Sequence, residues 1–273
     1  DSSVTSAPIP RQDLQVVSSG SDVVLRGTTG TQARLSNWAF GQLSQMGQAP
    51  AGYLRSLPAS LAADCLQVGL EASATIGVHE DSRVLFHKSD EGLTARALTS
   101  TRYKRVWNAD IVEILGRFVA DNPVWHNPVA YSPQGGEARP SGLYASDHDM
   151  FAFLIDGGSV LEGSPSGLNR GFFVWNSEVG ASSFGLTTFL FDKVCGNHIV
   201  WGAQQVTELR MKHIGHADER AVSALTVDMR RYADSSVSDM EAKIVEARSV
   251  ELGANKAEVL AAVLGMARIP AHF

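Results

Sequence analysis

Apolar residues recur along this chain with two periods, and the switches between them mark out its elements. Behind Ser36, the residues Trp38, Ala39, Leu43 and Met46 share one stripe of a 3.6-residue repeat. That pattern predicts a helix capped by Ser36 and ended by Gly47. Pro50 opens a second helical piece, and Pro58 suits the first turn of a helix to about Ala72. Leu61, Ala62, Cys65, Leu66 and Gly69 form its buried stripe. The period then changes. Residues 82–88 and 93–99 read as two strands joined by the turn Asp90-Glu91-Gly92. Asn108 suits the N-cap of a helix through Val119, with Ile111, Leu115 and Phe118 on one stripe. Residues 121–142 hold four prolines and three glycines, which predicts a long loop. Strand character resumes over 143–155, interrupted by Ser146-Asp147-His148-Asp149.

The densest apolar stretch follows at 171–201. Phe172 to Trp175 and 184–194 read as strands around the polar break 176–180, which points to an antiparallel hairpin. Residues 206–213 read as one more strand. From there the chain is helical: 217–232, 238–252 and 255 to about 267. Ser238-Asp239-Met240-Glu241 matches a capping box, and Gly253 suits a stop. Val259, Leu260, Val263 and Leu264 give the last helix an apolar face. Helices, then antiparallel strands with one intervening helix, then helices again predict an α+β fold. Its antiparallel β-sheet core carries an N-terminal helical subdomain and C-terminal helices. The expected organisation is a flexible N-terminal arm over 1–20, a core over 21–233 and a helical extension over 234–273. Within the core, the helical part spans about 36–72 and the sheet part about 82–214. Before the first helix, Val23-Val24-Leu25 suggests a short strand and 27–30 a turn.

One set of residues carries a family resemblance. It comprises Asn176-Ser177, Gly180 and Ser182-Ser183, then a strand, then Val194-Cys195-Gly196-Asn197, then Lys212-His213. Earlier blocks belong with it: Trp38-Ala39-Phe40-Gly41-Gln42-Leu43, Ala49-Pro50-Ala51-Gly52-Tyr53-Leu54 with Leu57-Pro58, and the run from Ser100 through Tyr103 and Trp107 to Asn108. In order, from about residue 35 to about 233, the chain resembles the phage/plasmid-like protein family, a domain of unknown function of phages, plasmids and integrated elements. The family normally has Thr after Val-Cys-x-Asn; this chain has His198, which is not carried over as a family feature. The resemblance implies a mobile-DNA context and no particular activity.

Composition narrows the field. The chain has 273 residues, 44% of them apolar and 19% charged, as expected of a globular protein with a substantial core. No apolar run is long enough for a membrane span, and the first residues lack a basic head and apolar middle. Two cysteines, Cys65 and Cys195, give neither a disulfide framework nor a zinc pattern, so the cytoplasm is the expected compartment. Cys65 reads as a core thiol. Neither a phosphate-binding glycine loop nor a dinucleotide fingerprint is present, so no nucleotide cofactor is expected. The net charge is −6, which leaves room for a local basic groove on an acidic protein.

Such a groove is the leading candidate. Arg96, Arg102, Lys104, Arg105 and Arg117 lie close together with Tyr103 and Trp107 among them. Arg210, Lys212 and His213 follow along a later strand, and Arg230 and Arg231 further on. Cations for phosphates with aromatic rings for bases are what a single-stranded nucleic acid requires. The expected protein is therefore a non-enzymatic, oligomeric phage-type protein that binds single-stranded DNA in recombination or replication. Its contacts would come from Arg102, Tyr103, Lys104, Arg105, Trp107, Arg210, Lys212 and His213. The plain alternative is a set of solvated basic faces. Asn176, Gly180, Cys195 and Asn197 are expected to shape the sheet. A second reading is a metal-dependent, nuclease-like enzyme using Asp147, Asp149, His198 and His213. Cys195 as a nucleophile with His198 or His213 as base is a weaker one. The last is a structural or host-interaction protein without nucleic acid.

Overall fold

In a computed structural model, residues 3–10, 13–75, 82–130, 139–140, 142–163, 167–191 and 209–249 are described. Two sheets, each backed by helices, meet at a loop between them. The α+β class is as expected.

The first lobe is a six-stranded sheet with helices on one face. Its strands are β1 (Val4–Ile9), β2 (Gln15–Ser19), β3 (Asp22–Arg26), β4 (Gln32–Leu35), β5 (Ser82–Ser89) and β6 (Gly92–Ser100). They lie in the order β1-β5-β6-β4-β3-β2. Neighbours are antiparallel except β4 and β6, which run parallel. Between β4 and β5 the chain forms α1 (Asn37–Met46), α2 (Ala51–Leu54) and α3 (Ala59–Thr75). Leu43, Leu54, Leu66 and Leu70 from these helices meet Leu14, Val16, Leu25, Val84 and Ala95 from the sheet. Cys65 packs against this core.

The predicted helical subdomain is thus one layer of a helix-on-sheet lobe. The reason lies in residues expected as a flexible arm. Val4 pairs with His87 and Ile9 with Ser82 along β1, while β2 pairs with β3. Pro8 reads against a strand, but β1 is an edge strand, where a missing N–H costs no ladder bond. Leu14 and Val16 are buried, and the Val16 N–H donates to Gln67 Oε1 at 2.9 Å. The hairpin of β5 and β6 turns at Ser89 to Gly92, as the Asp-Glu-Gly sequence predicts.

The second lobe is antiparallel throughout. Among the described residues its strands are β7 (Trp125–His126), β10 (Leu143–Ala145), β11 (Met150–Val160), β12 (Asn169–Asn176), β13 (Phe184–Phe191) and β14 (Leu209–Met211). The path is β10-β11-β12-β13-β14, with β7 also on β11. A separate small pair joins β8 (Val129–Ala130) to β9 (Arg139–Pro140). One face of the main sheet carries α4 (Asn108–Asp121) and α5 (Ala217–Ala233). Met150, Leu154, Phe172, Val174, Phe184 and Leu186 from the sheet meet Ile111, Leu115 and Phe118 of α4 and Leu225 and Met229 of α5. Period-2 alternation therefore sends Phe151, Phe153, Phe173 and Trp175 to the other face. A last described helix, α6 (Ser238–Ser249), lies beyond, and its Glu241 carboxylate accepts from the Glu162 N–H at 3.0 Å.

A buried ion pair ties α5 to this sheet. Arg170 Nε donates to Asp156 Oδ2 at 3.0 Å, and both side chains are buried. The rest of the guanidinium reaches the carbonyls of Tyr232, Ala233 and Ser235 at 2.8–3.0 Å. Tyr232 and Ala233 close α5 and Ser235 follows it, so the cation sits at the carbonyl end of the helix, where it also opposes the helix dipole. Burial alone raises the Asp156 carboxyl pKa, but bonds from Ser159 and Arg170 outweigh it and hold the pKa below the usual range. Burial pushes the Tyr232 hydroxyl up to about 12, against the opposing pull of Arg170.

Candidate nucleic-acid interface

The loop 176–183 between β12 and β13 seats itself between the lobes. Gly180 takes φ +82°, a left-handed conformation natural to glycine, and this reverses the chain. Ser177 Oγ donates to the His148 carbonyl at 2.6 Å and accepts the Ala181 N–H at 2.9 Å. The turn then pushes Val179 into the first lobe, where it is buried against Leu85 and Ala97. Its carbonyl accepts from Trp38 Nε1 at 3.0 Å and from Gln42 Nε2 at 2.9 Å. Glu178 faces back: its carboxylate caps the Asn108 N–H at the start of α4 at 2.8 Å and lies 3.6 Å from Arg96. The cap predicted for Asn108 itself is therefore supplied from 70 positions away. Asn176 Nδ2 donates to the Val106 carbonyl at 2.9 Å and to Asn108 Oδ1 at 2.7 Å. Asn176 and Gly180 thus sit in the junction between the sheets. Cys195 and Asn197, placed with them in the sequence, lie outside the described residues.

The expected DNA-contacting residues divide into two groups around this loop. Tyr103, Arg105, Trp107 and His213 turn inward. The Tyr103 hydroxyl donates to the Ser177 carbonyl at 2.8 Å, and its ring stacks on His213 with centroids 5.0 Å apart. Arg105 is buried; its Nε donates to the Glu178 carbonyl at 2.6 Å, and its guanidinium lies 5.7 Å from the Tyr103 ring and 5.3 Å from the Trp107 ring. His213 is buried, and its Nδ1–H donates to the Lys104 carbonyl at 3.2 Å. Burial pushes its pKa down, as does the positive charge of Arg105, although the Lys104 bond opposes the shift. Burial likewise raises the Tyr103 hydroxyl and lowers the Arg105 guanidinium. These four side chains hold the junction and do not present themselves to a phosphate.

Arg102, Lys104, Arg210 and Lys212 form the second group, and all four are exposed. Tyr103 and Ile214 form an antiparallel bridge, and the Lys104 N–H donates to the His213 carbonyl at 2.8 Å. This lays 102–104 alongside the end of β14. Two basic segments far apart in sequence so become one edge. Arg210 Nε donates to Ser183 Oγ at 3.1 Å, which fixes that side chain at the mouth of the loop. The sequence alternation holds along β14, where Leu209 and Met211 pack inward. It runs on past the strand end, with His213 buried and Ile214 exposed, so His213 leaves the face of Arg210 and Lys212 with which the sequence grouped it.

The residues of the metal reading are dispersed. Asp147 accepts from Arg96 through its carbonyl at 3.2 Å, Asp149 Oδ1 accepts from Ser182 at 3.3 Å, and His213 lies in the junction. His148 packs edge-on against Trp38. His198 is outside the described residues. Among the described residues no group of three or more His, Cys, Asp or Glu side chains is placed to hold a metal ion. Nor is any helix among them long and apolar enough to cross a membrane.

Sequence reading missed the outer face of the second sheet. Tyr144 pairs with Phe151, Phe151 with Trp175, Trp175 with Gly185, and Gly185 with Arg210. Directly paired residues share a face, so a row of rings crosses the sheet and ends at the basic edge. Behind it Phe153 stacks on Phe173 at 5.2 Å, and Phe173 meets Trp175 at 5.3 Å. Gly185 leaves the space that the Trp175 indole occupies; a Cβ there would collide with the ring. The signal was present as alternating aromatics in FAFLI and GFFVW, but only the register shows that they line up with Arg210. Comparison of the chain with protein-family models, curated proteins and solved structures finds no match.

Proposed function

We propose that this is a nucleic-acid-binding protein of mobile-element type, without catalytic activity of its own, that holds single-stranded DNA during recombination or replication. The observation that carries the reading is the convergence of Arg102, Lys104, Arg210 and Lys212 on one exposed edge. Phosphate contacts dominate such binding, and flexible cations at the surface supply them at little desolvation cost. An overall charge of −6 does not oppose this, because the edge gathers positive charge while Glu178 of the junction loop is occupied by Asn108 and Arg96.

The test is binding of a labelled single-stranded oligonucleotide, measured by fluorescence anisotropy across a salt series. Wild-type affinity should fall steeply with salt. Arg102→Glu with Lys104→Glu should weaken binding at least tenfold and flatten the salt slope by about one for each phosphate no longer neutralised. Because both side chains are exposed, the double variant should keep the wild-type melting temperature. Undiminished affinity in a folded variant would remove the edge from the reading.

A further inference from the structure

We infer that the row Tyr144–Phe151–Trp175, running across the outer sheet face into Arg210, is a base-stacking platform that selects single strands over duplex. The inference rests on the basic edge described above and adds what the edge lacks, a means of reading the bases. Four consecutive cross-strand pairs set the row. At roughly 4.8 Å between strands the whole row spans about 19 Å and its three rings about 10 Å, room for a base on each ring with the phosphates led toward Arg210. Phe151 and Tyr144 keep 38% and 47% of their surface, a large aromatic exposure for a sheet face.

Chemistry decides the occupant. An apolar partner segment would gain from the rings but not from the row's end, where Arg210 is exposed and Lys212 follows it on the same strand edge. Arg210 gives its Nε–H to Ser183, one of the five N–H groups a guanidinium carries. Asp149, at the same end, already accepts from the Ser182 hydroxyl. Rings followed by cations match a base followed by its phosphate. In a duplex the base faces are stacked on one another and closed to the platform, so the geometry discriminates by strand state. The Trp175 indole occupies the space beside Gly185, an arrangement any Cβ at 185 would block.

The experiment compares a labelled oligothymidylate with its duplex on oligodeoxyadenylate, using the full chain and two double variants. Phe151→Ala with Tyr144→Ala removes two exposed rings, together with the edge contact of Tyr144 on Phe153, and folding is checked by melting. It should lower single-strand affinity about tenfold for each ring removed while leaving both the salt slope and the duplex affinity as in wild type. Arg102→Glu with Lys104→Glu should instead lower both affinities and the slope. If the ring variant binds the single strand like wild type while the charge variant does not, the platform is wrong and the basic edge stands. If neither variant changes binding, both readings fall. A ring variant that loses self-association in the ultracentrifuge at unchanged oligonucleotide affinity would place a second copy of the chain on the row and overturn the inference.

Discussion

At the scale of single residues, His213 shows how burial reassigns a side chain. In sequence it is one more basic residue beside Lys212. In the structure it is sealed under Tyr103, donating to the Lys104 carbonyl, with its pKa lowered by burial. The sign of the pH effect follows. Below about pH 6.5 the unfolded chain takes up a proton on this imidazole that the folded chain refuses, so the unfolded state binds more protons and stability falls with falling pH. Near neutrality the contribution is flat. This one group supplies a slope of at most about 1.4 kcal/mol per pH unit until its folded pKa is reached. His213→Phe keeps a ring against Tyr103 and cannot titrate. Urea melts between neutral pH and pH 5 should show a shallower loss in the variant, whatever its absolute stability. An equal slope in the two proteins would mean that His213 does not carry the effect. Adjacency to Lys212 hid this in the sequence: the in-out alternation of β14 runs on past its end at Met211 and makes His213 the next inward side chain.

At the scale of elements, local signals performed best where an element is closed by its own neighbours. The hairpin of β5 and β6 is set by its Asp-Glu-Gly turn, and α4 by the stripe Ile111, Leu115, Phe118. They failed where a partner is remote. β1 contains a proline and weak β-formers, and only pairing with β5 makes it a strand; the cap of α4 comes from Glu178. Arg170 is the extreme case, since its partners are a carboxylate on β11 and the carbonyl end of α5. Arg170→Met should cost about 3–5 kcal/mol, because Asp156 becomes a buried charge without its cation and the helix end loses three bonds. Asp156→Asn added to it should restore part of that loss. Denaturant melts of the single and double variants check this. Equal stability of Arg170→Met and wild type would show that the pair contributes nothing net. In wild type the depressed Asp156 pKa adds stability that is complete above pH 3.8 and lost as acid carries the pH through the folded value.

At the scale of the molecule, two helix-backed sheets are joined chiefly by the loop 176–183, beside which Arg96 reaches the Asp147 carbonyl and Trp38 meets His148. That geometry makes the loop's contacts a thermodynamic coupling between lobes. Val179 enters the first lobe's apolar cluster, and its carbonyl takes two side-chain N–H groups from α1. Glu178 and Ser177 are meanwhile bound to the second lobe and to the segment between them. Each neutral bond is worth about 1 kcal/mol, and the buried Val179 side chain about 1.5–3 kcal/mol. The sum is comparable to a sizeable share of a typical domain's stability of about 5–15 kcal/mol, enough to make the lobes melt together. Val179→Asp places a carboxylate between Leu85 and Ala97 without entering either main core, so it weakens the coupling at its apolar centre. Calorimetry of the wild type should show one transition whose calorimetric and van't Hoff enthalpies agree; the variant should show two, one for each lobe. A single transition that merely moves to lower temperature would place the coupling elsewhere. The same loop holds Arg210 through Ser183, so a variant with separated melts should also bind the single-stranded oligonucleotide more weakly while its basic residues remain intact. The junction would then be what turns two packed sheets into one binding surface.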